Sequence, residues 1–83
     1  MQVEDTISKL IESRGTSAGR VSADLERSRS YVAGVAGRPG VALGTVADVA
    51  DVLGYELAVI DRETGEAVAV IEPPRRASAD DRG

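Results

Sequence analysis

The sequence contains no cysteine and no histidine. The first absence excludes a disulfide, and the two together exclude the usual zinc sites. They also remove the commonest general base and the most reactive thiol nucleophile. The single lysine, Lys9, falls in an ordinary amphipathic segment. Carboxylates are plentiful, but they occupy polar faces, turns and the C-terminal stretch, and so small a fold hardly encloses a substrate pocket. No enzymatic activity, cofactor or metal is expected. No apolar run approaches the roughly 20 residues of a membrane-crossing helix. The opening residues, "MQVEDTISKL", are polar and acidic, unlike a secretory leader. The expectation is a cytoplasmic protein with no membrane partner.

The 83 residues amount to one small domain, read as residues 1–72 with a disordered tail at 73–83. A chain this short buries only a modest part of its surface. Small domains often add a disulfide, a metal or a partner subunit, and only the last remains here, so a homodimer is expected.

Residues 3–14, "VEDTISKLIESR", predict a helix with Val3, Ile7, Leu10 and Ile11 on one stripe and Gly15 as its stop. Residues 16–25 predict a short second helix, capped by Thr16 or Ser17, with Val21 and Leu25 facing one way. A tight turn at Glu26 and Arg27 follows. Ser28 is the candidate cap of a third helix over about 28–37, anchored by Val32 and Val35 and ended before Pro39. Residues 41–55, "VALGTVADVADVLGY", predict a fourth helix on Leu43, Val46, Val49, Ala50 and Leu53, ended by Gly54. The period then changes to two. "YELAVID" and "EAVAVIE" flank "RETG", which predicts a β-hairpin with Gly65 in its turn. Both faces of that ribbon are apolar. One face is expected on the helices and the other face, or an open edge, against a second copy of the chain, with Leu57, Val59, Val68 and Val70 as the candidate dimerisation residues. The tail, "PPRRASADDRG", has no apolar periodicity.

Helix two, tight turn and helix three have the spacing of a helix-turn-helix. Val21 and Leu25 are the paired apolar residues. Ser22 is the small residue that allows a close crossing, and Val32 is the anchor from helix three. The stretch "VSADLERSRSYVAGVAGRPGVALGTVADVADVLGYEL" resembles the lambda-repressor/Cro-like (XRE-type) helix-turn-helix family, most strongly in "SRSYV", "GRPGVALGTV" and "ADVLGYEL". The resemblance covers about residues 5–57. It implies a mainly α fold, a compact four- to five-helix lambda-repressor-like domain, here with a C-terminal β-hairpin. It also implies a sequence-specific transcriptional regulator, repressor-like, that binds palindromic operator DNA as a dimer with helix three, about 28–37 and so including Ser28, in the major groove. By the same resemblance Arg29, Ser30, Ala33 and Gly34 face the groove, Ser17 and Ala18 touch backbone or base, and Arg38 touches phosphate. Glu26 stands where the family usually has glycine, in a left-handed turn position that costs a residue with a Cβ roughly 1 kcal/mol.

Charge points the same way without the family. Residues 14–40 hold Arg14, Arg20, Arg27, Arg29 and Arg38 against Asp24 and Glu26, a local balance of +3 in a chain of net charge −4. Phosphate contact needs a basic face, not a basic protein. Arg29 is the candidate base reader, by bidentate pairing with guanine. Arg20 and Arg27 read as phosphate contacts or plain surface. Tyr31 has two readings, stacking on the sugar–phosphate backbone or packing at the edge of helix one. A rival reading from another class is an antitoxin, or other interaction module, that binds a toxin protein through the hairpin and the acidic surface.

Overall fold

The computed structural model describes residues 1–75. Within them the domain holds four α-helices and a two-stranded antiparallel hairpin: α1 (Thr6–Arg14), α2 (Ala18–Asp24), α3 (Tyr31–Val35), α4 (Leu43–Val52), β1 (Leu57–Ile60) and β2 (Ala67–Ile71). A single 3-10 turn, Val3–Asp5, precedes α1. No helix among the described residues is long and apolar enough to cross a membrane. The architecture is mainly α, as the periodicity predicts.

The core is a knot of small aliphatic side chains, one or two from each helix. Ile7, Val21, Val32, Val46 and Val49 are buried together, and Ala47 and Ala50 close the inner side of α4. Two residues of the expected stripes stay out: Val3 lies in the 3-10 turn and Leu43 in the first turn of α4, and both are exposed. At helix ends the apolar period continues past the point where the neighbouring helix still covers it.

The hairpin pairs Leu57 with Ile71, Ala58 with Val70, and Val59 with Ala69, with a register shift after Val59. Its turn is closed by Asp61, whose carboxylate accepts the Glu63 N–H at 2.8 Å, and by Gly65 at φ 76°. The expected helix-covered face is only a foot. Leu57 and Ile71 are half-buried and Leu57 packs on the core, whereas Val59, Ile60, Val68 and Val70 are each more than half exposed. Two residues of β1, Val59 and Ile60, and four of β2, Ala67 to Val70, are exposed beyond that foot. Because Val59 pairs with Ala69 and Ala58 with Val70, Val59 and Val70 stand on opposite faces of the ribbon and do not form one apolar face.

The expected tail begins differently from free chain. Pro73 is buried, the Arg75 N–H donates to Asp48 Oδ1 at 3.2 Å, and the Arg75 guanidinium pairs with Asp51 at 3.1 Å. Gly44 leaves the space for Pro74: a Cβ there would lie 2.8 Å from the Pro74 ring. Two prolines with no apolar period still dock when α4 offers a glycine groove and two carboxylates. The remainder of that tail, residues 76–83, lies outside the described residues.

Candidate nucleic-acid interface

The α2–α3 corner is built by caps and one buried hydroxyl. Ser17, in extended conformation, opens α2 by accepting the Arg20 N–H on its Oγ at 3.2 Å. At the other end the Glu26 N–H reaches the Ala23 carbonyl and the Arg27 N–H reaches the Ser22 carbonyl, both at 2.9 Å. This is a Schellman closure, which places its C′ residue in the left-handed region. Two other helices close in the same way. After α1, Gly15 sits at φ 63° and the Thr16 N–H returns to Ile11. After α4, Gly54 sits at φ 83° and the Tyr55 N–H returns to Ala50. Glu26, at φ 58°, is the one non-glycine residue with positive φ among those described. The left-handed turn expected from the sequence is therefore present, and the strain falls on a glutamate. Glu26→Gly is expected to raise stability by about 1 kcal/mol. A higher urea midpoint at unchanged m-value would register it, and a lowered midpoint would contradict the strain account.

Ser22 does more than take up little space. It is fully buried; its Oγ donates to the Ala18 carbonyl at 2.8 Å and accepts the Val32 N–H at 2.9 Å. The expected cap from Ser28 is replaced by this bond. The residue before α3 is Ser30, whose side chain makes no capping bond, while the Ser28 carbonyl accepts from the Tyr31 N–H at 3.0 Å. The third helix is also shorter than expected, Tyr31–Val35 rather than about 28–37. Residues 28–30 are spent in the turn. At the other end Ala36 is already extended and Gly37 lies at φ 77° before Pro39. Five residues do not make a helix in isolation. Here Val32 in the core, the Ser22 hydroxyl, and a bond from the Gly37 N–H to the Glu4 carbonyl at 2.9 Å hold it.

Around this corner Ser17, Arg20, Arg27, Ser28, Arg29, Ser30, Ala33, Gly34 and Arg38 are exposed, and Ala18 and Tyr31 are half-buried. Arg20, Arg27 and Arg29 come together around one open concavity of about 670 Å³, with Ser17, Gly19, Ala23 and Asp24 as its other walls. Gly19, Ala23 and Asp24 were not foreseen there. Gly19 lies beside the Arg29 stem, where an added Cβ would make an ordinary contact with the Arg29 Cγ at 3.8 Å. Ala33 and Gly34 keep the outer side of α3 flat, with open space where a Gly34 side chain would stand.

Two arginine–tyrosine stacks divide the basic residues. Arg14 leaves the patch: its guanidinium lies 4.0 Å over the Tyr55 ring, and its Nε–H donates to the Leu53 carbonyl at 2.9 Å. It clamps α1 to the end of α4, an association across about forty residues that no local pattern announces. Tyr31 packs against the core and carries the Arg27 guanidinium 5.0 Å over its ring. The spacing of four between Arg27 and Tyr31 was visible in the sequence, but Arg27 precedes α3 and helical reasoning did not reach it.

No cluster of three or more acidic, histidine or cysteine side chains among the described residues is placed to hold a metal ion. Set against protein-family models, curated proteins and solved structures, the chain gives no significant match to any of them.

Proposed function

We propose that the chain is a DNA-binding transcriptional regulator of the lambda-repressor/Cro-like type, acting by residues of the α2–α3 corner in the major groove. The observation that supports this reading is the grouping of Arg20, Arg27 and Arg29 beside the flat outer side of α3 at Ala33 and Gly34. Arginines that converge on an open concavity suit the phosphate backbone, and a small-residue helix face suits close approach to base edges. In this reading two copies join through Val59, Val68 and Val70 of the exposed hairpin, with Leu57 at its foot. They present two α3 helices to half-sites about one helical turn apart. The protein works in the cytoplasm and carries no catalytic role.

Gel-shift titration against genomic fragments at several salt concentrations tests this. Each phosphate contact steepens the fall of log K with log salt by about 0.9. If the double variant Arg29→Ala, Arg38→Ala leaves affinity and slope unchanged, the groove model is wrong. Sedimentation at micromolar concentration is expected to show two chains, and Val59→Asp to give a monomer. A wild-type chain that is already a monomer removes the hairpin dimer.

One observation favours the antitoxin reading as a second. Residues 56–72 hold five acids against Arg62, a balance of −4, bracketing the exposed apolar strands. An apolar ribbon rimmed by acids also fits a basic protein partner.

A further inference from the structure

We propose that Tyr31 is a positioning residue for DNA binding: its ring holds the Arg27 guanidinium in place for a backbone phosphate at the α2–α3 concavity. This rests on the DNA-binding reading above and assigns a role within it.

The geometry has three parts. The backbone of Arg27 is fixed, because its N–H closes the Schellman turn on the Ser22 carbonyl at 2.9 Å. Tyr31 is a fixed platform: it is half-buried, packs against the core, and is the first residue of α3. The Arg27 guanidinium lies 5.0 Å from the centroid of that ring while its side chain lines the concavity with Arg20 and Arg29. A guanidinium stacked by its face keeps its in-plane N–H donors free, and those donors are what a phosphate accepts from. An unstacked arginine loses side-chain freedom when it binds, and the stack removes part of that loss beforehand. Phosphate contacts set affinity without reading sequence. Tyr31 therefore governs affinity equally on specific and non-specific duplexes, although it presents no donor of its own to the DNA in this arrangement.

The test is a gel-shift series on one genomic fragment and one scrambled duplex, over a range of salt concentrations, with wild type, Tyr31→Phe, Tyr31→Leu, Arg27→Ala and the Arg27→Ala, Tyr31→Leu double variant. Tyr31→Phe is expected to match wild type. Tyr31→Leu is expected to weaken both duplexes by roughly two- to five-fold while the salt slope stays, since the charge remains. Arg27→Ala is expected to lower the slope by about 0.9. The double variant is expected to bind no more weakly than Arg27→Ala, because a ring without its guanidinium has nothing to hold. Circular dichroism establishes that each variant is folded. Should Tyr31→Leu not fold, Arg27→Ala in the Tyr31→Phe background and the ring-current upfield shift of the Arg27 side-chain protons in wild type carry the decision. Absence of that shift overturns the proposal, as does a Tyr31→Leu effect that persists in the Arg27→Ala background. A wild-type chain that binds neither duplex overturns the DNA reading itself, whereas tight wild-type binding with an unaltered Tyr31→Leu overturns only the role of the ring.

Discussion

Ser22→Ala is expected to cost about 2 kcal/mol of stability and to lower Tm by roughly 10 °C. The hydroxyl is fully buried and accepts the Val32 N–H at 2.9 Å, joining α2 to the first turn of α3. Removing it leaves a buried donor without its acceptor, and that desolvation loss exceeds the worth of an ordinary exposed hydrogen bond. The effect is large relative to what a domain of this length has in reserve. It is also specific in direction, because Ser22 joins α2 to the start of α3. Ser22→Thr is expected to recover only part of the loss: the acceptor returns, but an added methyl must enter a fully buried site. Thermal unfolding followed by circular dichroism measures both variants. An alanine variant with wild-type Tm would mean that α3 is held by Val32 and its flanking bonds alone.

Arg29→Ala and Arg38→Ala are expected to separate two kinds of DNA contact. Arg29 is exposed in the turn just before α3 and beside the concavity, where an arginine fork can meet a guanine edge. Its loss is expected to reduce affinity for the preferred site by roughly 10- to 100-fold, and to do so much less on scrambled DNA. Arg38 follows α3, outside the concavity, and its N–H is tied to the Val35 carbonyl at 3.2 Å. A phosphate contact from that position is expected to weaken all duplexes alike and to lower the salt slope by about one. Competition titrations with specific and scrambled duplexes decide between these patterns. If Arg29→Ala lowers both affinities equally, Arg29 is a phosphate contact and the base reader is elsewhere.

The order and type of the four α-helices and two strands were legible in the sequence, although not the 3-10 turn at Val3–Asp5, because the core is drawn from regular apolar spacing: Ile7 on α1, Val21 on α2, Val32 on α3, Val46 and Val49 on α4. Turn chemistry was legible too. Gly15, Gly54 and Gly65 adopt positive φ, and Glu26 takes the left-handed turn position. What failed was whatever depends on partners distant in sequence. Ser28 has the right chemistry for a cap, but Ser22 supplies the bond from another helix. Arg14 adds to the local charge count, yet it stacks on Tyr55 and donates to the Leu53 carbonyl at the end of α4. The start of the tail reads as unpatterned, and only the juxtaposition of Gly44, Asp48 and Asp51 gives Pro74 and Arg75 a place to dock. The candidate site was found as a region from charge and spacing. Its internal arrangement, with Gly19 beside the Arg29 stem and Tyr31 beneath Arg27, needed three dimensions.

The docking of residues 73–75 has a mechanical consequence for the hairpin. The ribbon leaves α4 at Gly54 and its far strand returns to the same helix, where Pro73 is buried and Arg75 meets Asp48 and Asp51. An arm fixed at one root swings, whereas an arm braced at both roots resists torque. If this arm carries a second subunit and the α2–α3 corners bind DNA as proposed, the separation of the two corners is set by the stiffness of α4 and its brace. The protein would then measure operator half-site spacing as a rigid caliper does, tolerating little insertion or deletion between the half-sites.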